Sequence, residues 1–235
     1  MARDTIADVS LSKKADGAYL AIKRAIVEHA LVPGTKLPED RLAEQFGISR
    51  TLVRAALARL ATESLVEVGN KRTAIVAQPS LEEARAVFEV RRCLEVEAVR
   101  LVVARWKPAM GKALERHVED EQQAAARGSG TASIRLAGEF HVMLAEMAGN
   151  VVLGRYLGEV ATRCSLILAV HGRPHSSDCA VSEHRALIQA FRDGDAERGV
   201  RLMNEHLLGI EQRALLPPEK EAAEDLGSIL ARYAS

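Results

Sequence analysis

Apolar positions along this chain recur mostly every three to four residues, the period of a helix with one buried face. Tyr19, Ile22 and Ile26 form the first such stripe, and the spacing predicts a helix over about 17–29 with Asp16 as its N-cap. Pro33 and Gly34 then turn the chain. A short helix is expected over about 38–46, because Pro38 suits a first turn and Glu39 and Asp40 suit the positive end of the dipole. Gly47 ends it, and Ser49 is a good N-cap for a third helix over about 50–62. The period drops to two over 65–68 and 73–77, two strands separated by the tip Gly69-Asn70-Lys71-Arg72.

After the linker Gln78-Pro79-Ser80 the helical period returns and persists. Six helices are expected at about 81–106, 108–127, 131–148, 151–171, 179–193 and 195–214, with breaks at Pro108, Gly128–Gly130, Gly149, Gly172–Pro174 and Gly194. The fold class is therefore mainly α, in three parts. Residues 1–78 form a winged helix-turn-helix with a small β-hairpin, 79–216 an antiparallel six-helix bundle, and 217–235 a charged C-terminal tail.

Composition narrows the function. At 235 residues, 48% apolar and 27% charged, the chain is globular, with room for one large or two modest domains. Aromatics at 3% leave few platforms for stacking single-stranded bases. No apolar run approaches the roughly 18 residues of a membrane span, and no signal-type apolar stretch follows the N-terminus. Cys93, Cys164 and Cys179 are odd in number and lack C-x-x-C spacing, so reduced thiols in a soluble cytoplasmic protein are expected. Net charge is zero, yet it divides: residues 1–79 hold 12 basic and 9 acidic side chains, and the remainder 20 and 23. The small positive excess thus lies on the winged part, where it suits a polyanion.

The segment 36–54 provides the chemistry for that partner. Two helices joined at a glycine make a helix-turn-helix, whose second helix enters the DNA major groove. Leu52, Val53, Ala56, Leu57 and Leu60 form its buried stripe. Arg50 and Arg54 lie one turn apart on the opposite side, able to reach guanine edges or phosphates, while the Ser49 and Thr51 hydroxyls reach the backbone. Arginines four apart also occur on any solvated helix face; the turn, cap, stripe and basic wing (Lys71, Arg72) together favour DNA. The runs Pro33–Leu37, Leu42–Arg54 and Ala56–Leu60 resemble the winged-helix signature of GntR-family transcriptional regulators. That resemblance implies contact with double-stranded operator DNA through Arg50, Arg54, their hydroxyl neighbours and the wing. Ala55 departs from the usual acidic residue, and Asp40 stands where relatives place a contacting arginine, so Arg41 is the basic residue available there.

Three of the seven histidines share a pattern in the bundle. His141 falls on the apolar face with Ile134, Ala137, Phe140 and Leu144; His184 on the stripe of Val181, Leu187 and Ile188; His206 with Leu202, Met203 and Ile210. A single such histidine is commonly a hydrogen-bonded core residue. Three on different helices are costly to bury unless their nitrogens find partners, and a divalent cation would satisfy all three. Gly138–His141, Ala148–Asn150, Glu183–Leu187 and Met203–Leu207 further resemble the FCD domain of the FadR-like branch of the GntR family, in its shorter, VanR-like form. The resemblance implies a homodimer sensing a small carboxylate-type effector beside a metal held by one aspartate and three histidines. The histidines map to His141, His184 and His206; the aspartate position is Ala137. Glu139 lies about 200° around the helix from His141 and does not replace it. Without that hard oxygen, Zn²⁺ or Ni²⁺ suits the site better than Mn²⁺.

The stretch Val87–Glu95 resembles the first bundle helix of the family and offers Arg91 as an effector contact, against a surface Arg91–Glu95 pair. Asn150 is a second candidate contact or a helix cap. His171, His175 and Cys179 could supply a fourth ligand, or simply be solvated. The leading function is a ligand-responsive transcriptional regulator, a repressor on the family pattern. A metal-ion sensor is the alternative. A three-histidine metalloenzyme is disfavoured, since no H-E-x-x-H motif occurs and no base stands beside the cluster in sequence.

Overall fold

The computed structural model describes residues 4–69, 72–171 and 177–215, with side chains placed for 14–69, 72–129, 132–171 and 180–215. Lys71, His175 and the tail 217–235 lie outside the described residues, and so does the side chain of Cys179.

The N-terminal unit comprises α1 (Asp4–Val27), β1 (Lys36–Leu37), α2 (Glu39–Phe46), α3 (Arg50–Thr62), β2 (Val66–Glu67) and β3 (Ala74–Val76). Helix α1 begins well before the expected cap: residues 4–15 contain neither Pro nor Gly, so nothing stops the helix from extending backward. Asp16 therefore lies inside α1, where its carboxylate pairs with Arg59 of α3 instead of capping. The hairpin gains a third member. Strand β3 is central, with β1 and β2 antiparallel on either side in the order β1-β3-β2, Lys36 opposite Ile75 and Val66 opposite Val76. Two residues are too few to show alternation, which is why β1 left no trace in the sequence pattern.

The unit closes around Ala18, Tyr19, Ile22 and Ile26 of α1, Val53, Ala56, Leu57 and Leu60 of α3, and Leu65, Val66 and Val76 of the wing. Gly47 at φ 60° ends α2 and directs the chain into α3, a backbone conformation that a side chain would strain. Ser49 caps α3 as expected, its Oγ accepting from the Leu52 amide at 3.4 Å.

Six helices follow: α4 (Leu81–Ala104), α5 (Pro108–Ala126), α6 (Gly130–Met147), α7 (Val151–His171), α8 (Ser177–Arg192) and α9 (Ala196–Leu215). Helix α4 packs on α9 and α7, α5 on α6 and α8, and α6 on α7. Phe140, Leu144, Leu157, Leu187, Phe191, Met203 and Leu207 are fully buried between them. Ile134, expected on the inward stripe, is instead 39% exposed near the start of α6. The two units share packing: Leu166 of α7 is buried in the core of the winged unit. Beside it the Ser165 hydroxyl donates to the Val27 carbonyl at 3.0 Å, and His29 Nε2 meets the Ser165 carbonyl at 3.0 Å. Among the described residues, no helix is long and apolar enough to cross a membrane.

Candidate functional site

Helix α3 presents its exposed face to solvent with Arg50, Thr51 and Arg54 on it. Both arginines are held by acids at the start of α2. Arg50 Nη1 lies 3.0 Å from Asp40 Oδ1, and Glu39 Oε2 lies 3.6 Å from Arg50 Nε and 3.8 Å from Arg54 Nε. Asp40, which the sequence pattern places at the positive dipole end of α2 and at a position where relatives are basic, thus acts on Arg50 directly. Arg41 and Arg72 are exposed, and Ser49 is occupied by its capping bond. Arg50, Arg54 and Arg72 remain solvent-accessible cations suited to phosphate or base edges.

In the bundle, α6, α8 and α9 bring His141, His184 and His206 together, all three buried, with their ligating nitrogens within 4.8 Å of one another. Three buried histidines so placed could hold a metal ion. Each is tied at Nδ1 to a different glutamate. His141 meets Glu95 of α4 at 2.6 Å, His184 meets Glu121 of α5 at 2.9 Å, and His206 meets Glu183 of α8 at 2.5 Å. A carboxylate on Nδ1 fixes the proton there and leaves the Nε2 lone pair for the other side. Burial pushes the His141 pKa down to about 3, against the pull of Glu95, so its ring is neutral. Burial likewise lowers His206. Burial alone would raise Glu95, but the Arg91 charge and the hydrogen bonds from His141 and Arg91 outweigh it and bring its pKa down to about 2.

The inward nitrogens then face one another. His141 Nε2 and His206 Nε2 are 3.2 Å apart, and His184 Nε2 is buried with no hydrogen-bond partner. Metal–nitrogen bonds of about 2.0–2.1 Å at a tetrahedral centre separate two such nitrogens by roughly 3.3 Å. The donor set, the orphaned nitrogen and the 3.2 Å separation all fit a divalent cation. Phe140 stacks on the His184 ring at 3.9 Å and holds its plane.

The sequence pattern marks none of Glu95, Glu121 and Glu183 as a partner of the histidines. Glu183 was the most accessible of the three, adjoining His184; Glu121 carries no signal within its polar run. Arg91 does pair with Glu95, at 2.8 Å, but the pair is buried and not on the surface, because α4 turns it inward against Cys164 and His141. Arg91 also lines a cavity of about 1060 Å³ that reaches His141, His206 and Ala137. Asn150 does not line that cavity. It caps α7, its Oδ1 accepting from the Val152 and Leu153 amides at 3.2 and 3.1 Å, a role its position after Gly149 dictates. His171 bonds the Pro79 carbonyl at 2.8 Å, far from a ligand's role.

Comparison with known proteins agrees with this layout. Residues 14–76 match the profile of bacterial regulatory proteins of the gntR family, and residues 86–209 match the FCD domain. The chain is 26% identical over 182 residues to the uncharacterized HTH-type transcriptional regulator YdhC of Bacillus subtilis, covering 76% of this chain and 81% of that protein. It is 23% identical over 197 residues to the HTH-type transcriptional repressor RspR of Escherichia coli, covering 83% and 86%. Its fold is similar to that of E. coli McbR/YncC, with a TM-score of 0.75 at 22% identity over 94% of this chain and 99% of the other. These relatives are transcriptional regulators and not enzymes. The chain belongs to the GntR family of transcriptional regulators, with an N-terminal winged helix-turn-helix and a C-terminal FCD domain.

Proposed function

We propose that this protein is a cytoplasmic, homodimeric repressor that releases its operator on binding a small carboxylate in a metal-containing bundle. Residues 1–78 read DNA, with Arg50 and Arg54 on base edges or phosphates, Ser49 and Thr51 near the backbone, and Arg41, Lys71 and Arg72 flanking. Residues 79–216 sense and dimerise. RspR and the NanR protein of Klebsiella aerogenes, 27% identical over 219 residues, are both named as repressors, which supports that sign of regulation.

The observation that carries this reading is the set of three buried imidazoles, each with a carboxylate on Nδ1, beside the cavity. Zn²⁺ or Ni²⁺ on His141, His184 and His206 would supply a Lewis-acidic centre. Ala137, one turn before His141 at the position where the family resemblance implies an aspartate ligand, lines the cavity, so an incoming carboxylate has room on that side. Arg91 adds a buried positive charge to the same wall. The test is a thermal-shift screen of carboxylic and sugar acids on metal-loaded protein, followed by binding to a duplex selected in vitro. Hits that weaken DNA binding support the reading, and no hit across the panel overturns it. The alternative, a metal-ion sensor, is favoured by the unpartnered His184 Nε2, since a site without its ion leaves a buried nitrogen unsatisfied. DNA affinity that tracks free Zn²⁺ or Ni²⁺ without any organic ligand would select that alternative.

A further inference from the structure

The cavity beside the histidines does not end inside the bundle. Its wall also includes Leu20, Lys23, Arg24, Val27 and His29, all from α1 or its C-terminal end, so the DNA-reading unit closes one side of it. Its volume of about 1060 Å³ stands at the top of the range for small-molecule sites and exceeds what a short monocarboxylate fills. Basic side chains dominate the wall, with five Lys or Arg against Glu121 and Glu139.

Three of those five cations each pair with one carboxylate, and Arg213 lies in the field of Glu183. Lys23 is 2.6 Å from Glu63, Arg24 is 2.8 Å from Glu28, and Arg91 is 2.8 Å from Glu95. Arg135 of α6 differs. Its Nη1 meets Glu139 at 2.7 Å, but its buried Nε lies 3.1 Å from Glu28 Oε1 without the direction of a hydrogen bond. Glu28 Oε1 is the same oxygen that Arg24 uses within the winged unit. Glu28 can therefore leave Arg135 and remain paired, whereas a ligand carboxylate could meet the guanidinium along two parallel N–H bonds, the stronger geometry. Arg135 precedes His141 by six residues, roughly 9 Å along the helix axis, so the two mark separate ends of one cavity.

We infer that the cavity takes an elongated anion with an acidic group at each end, one at the histidine cluster and one at Arg135. There it displaces Glu28 and unlatches α1 from α6. The inference rests on the effector reading above and adds the ligand's second charge and the route to the DNA-reading unit. With the α6 latch open, α1 is held by the Val27–Ser165 and His29–Ser165 bonds and by Leu166, all on α7.

The test uses full-length protein dialysed with zinc and titrated calorimetrically with succinate, adipate and azelate against butyrate, hexanoate and nonanoate. At least one diacid should bind about tenfold or more tighter than its monoacid partner, as a second charge-assisted pair requires. Arg135→Ala should abolish that preference, and Arg135→Lys should keep part of it. Glu28→Gln, which removes the competitor, should tighten diacid binding and speed hydrogen exchange at amides 27–31 before any ligand is added. Diacids and monoacids binding equally would overturn this inference and leave the carboxylate reading standing. Heat from neither series overturns the carboxylate reading and this inference with it. Diacid preference with no gain in Glu28→Gln would overturn the latch.

Discussion

Acid–base pairs occur at both functional ends of this molecule, and they do opposite things. On the recognition helix, Arg50 and Arg54 meet Glu39 and Asp40 in solvent, with Asp40 74% exposed and distances from 3.0 to 3.8 Å. In the bundle, His141 and His184 meet Glu95 and Glu121 with every partner essentially sealed from water, at 2.6 and 2.9 Å. Exposed pairs are weak and exchange readily for phosphate or base edges. Buried pairs cannot exchange; each fixes which nitrogen holds the proton and where its lone pair points. On the proposed function, the first set of pairs gives up its partners when DNA arrives, and the second keeps them so that a metal ion can be held.

The bundle should fail abruptly. Changing His184 and His206 together to alanine removes two of three converging nitrogens, and metal measured in purified protein should drop from near stoichiometric to background. Metal retained in that double variant would show that the cluster is not the site. At the recognition helix losses should be graded instead. Arg50→Ala and Arg54→Ala are each expected to cost about 1–3 kcal/mol against an in vitro-selected duplex, with a shallower salt dependence if a phosphate contact is lost. Equal affinity for wild type and both variants would remove these arginines from the interface. The next effect is comparable in size and isolates the carboxylates: Glu121→Gln keeps shape and hydrogen bonding but not charge. Metal affinity measured by competition with a chelator should fall about 10–100-fold, the usual cost of losing an outer carboxylate. An unchanged affinity would mean that His184 is positioned by Phe140 stacking and packing alone.

The two regions also differed in how legible they were. Helix-turn-helix, cap and recognition face follow from local rules, because Gly47, Ser49 and the apolar stripe of α3 act within a few residues of one another. The six bundle helices came out within a few residues of their observed ends for the same reason, as strong periodicity broken by Gly and Pro. What stayed hidden depends on pairing across helices. Nothing in the spacing around Glu121 says that it will face His184 from 63 residues away. Arg91 and Glu95 looked like a surface pair because i,i+4 geometry is identical on either side of a helix; only the packing of α4 decides which side is buried. The start of α1 is not legible in the local pattern, because a good capping residue is permissive and not obligatory. Asp16 found Arg59 instead, a tertiary contact no local rule announces.

The smallest expected effect probes the exposed pairs themselves. Asp40→Asn and Glu39→Gln remove the acids that hold Arg50 and Arg54 while preserving shape. Because the arginine side chains are about 60% exposed, water and salt already screen these pairs, and thermal or denaturant stability should change by no more than about 0.5 kcal/mol. DNA binding is where the acids should register. With them present, an incoming phosphate must compete for the guanidinium groups, so nonspecific association is held down and only well-fitted sites repay the exchange. The two variants should therefore bind random duplex more tightly at low salt, by a few-fold, with a smaller gain on the selected site. A loss of affinity on both duplexes would instead mean that Glu39 and Asp40 hold the arginines in their reading geometry, making the surface pairs a milder version of the buried ones.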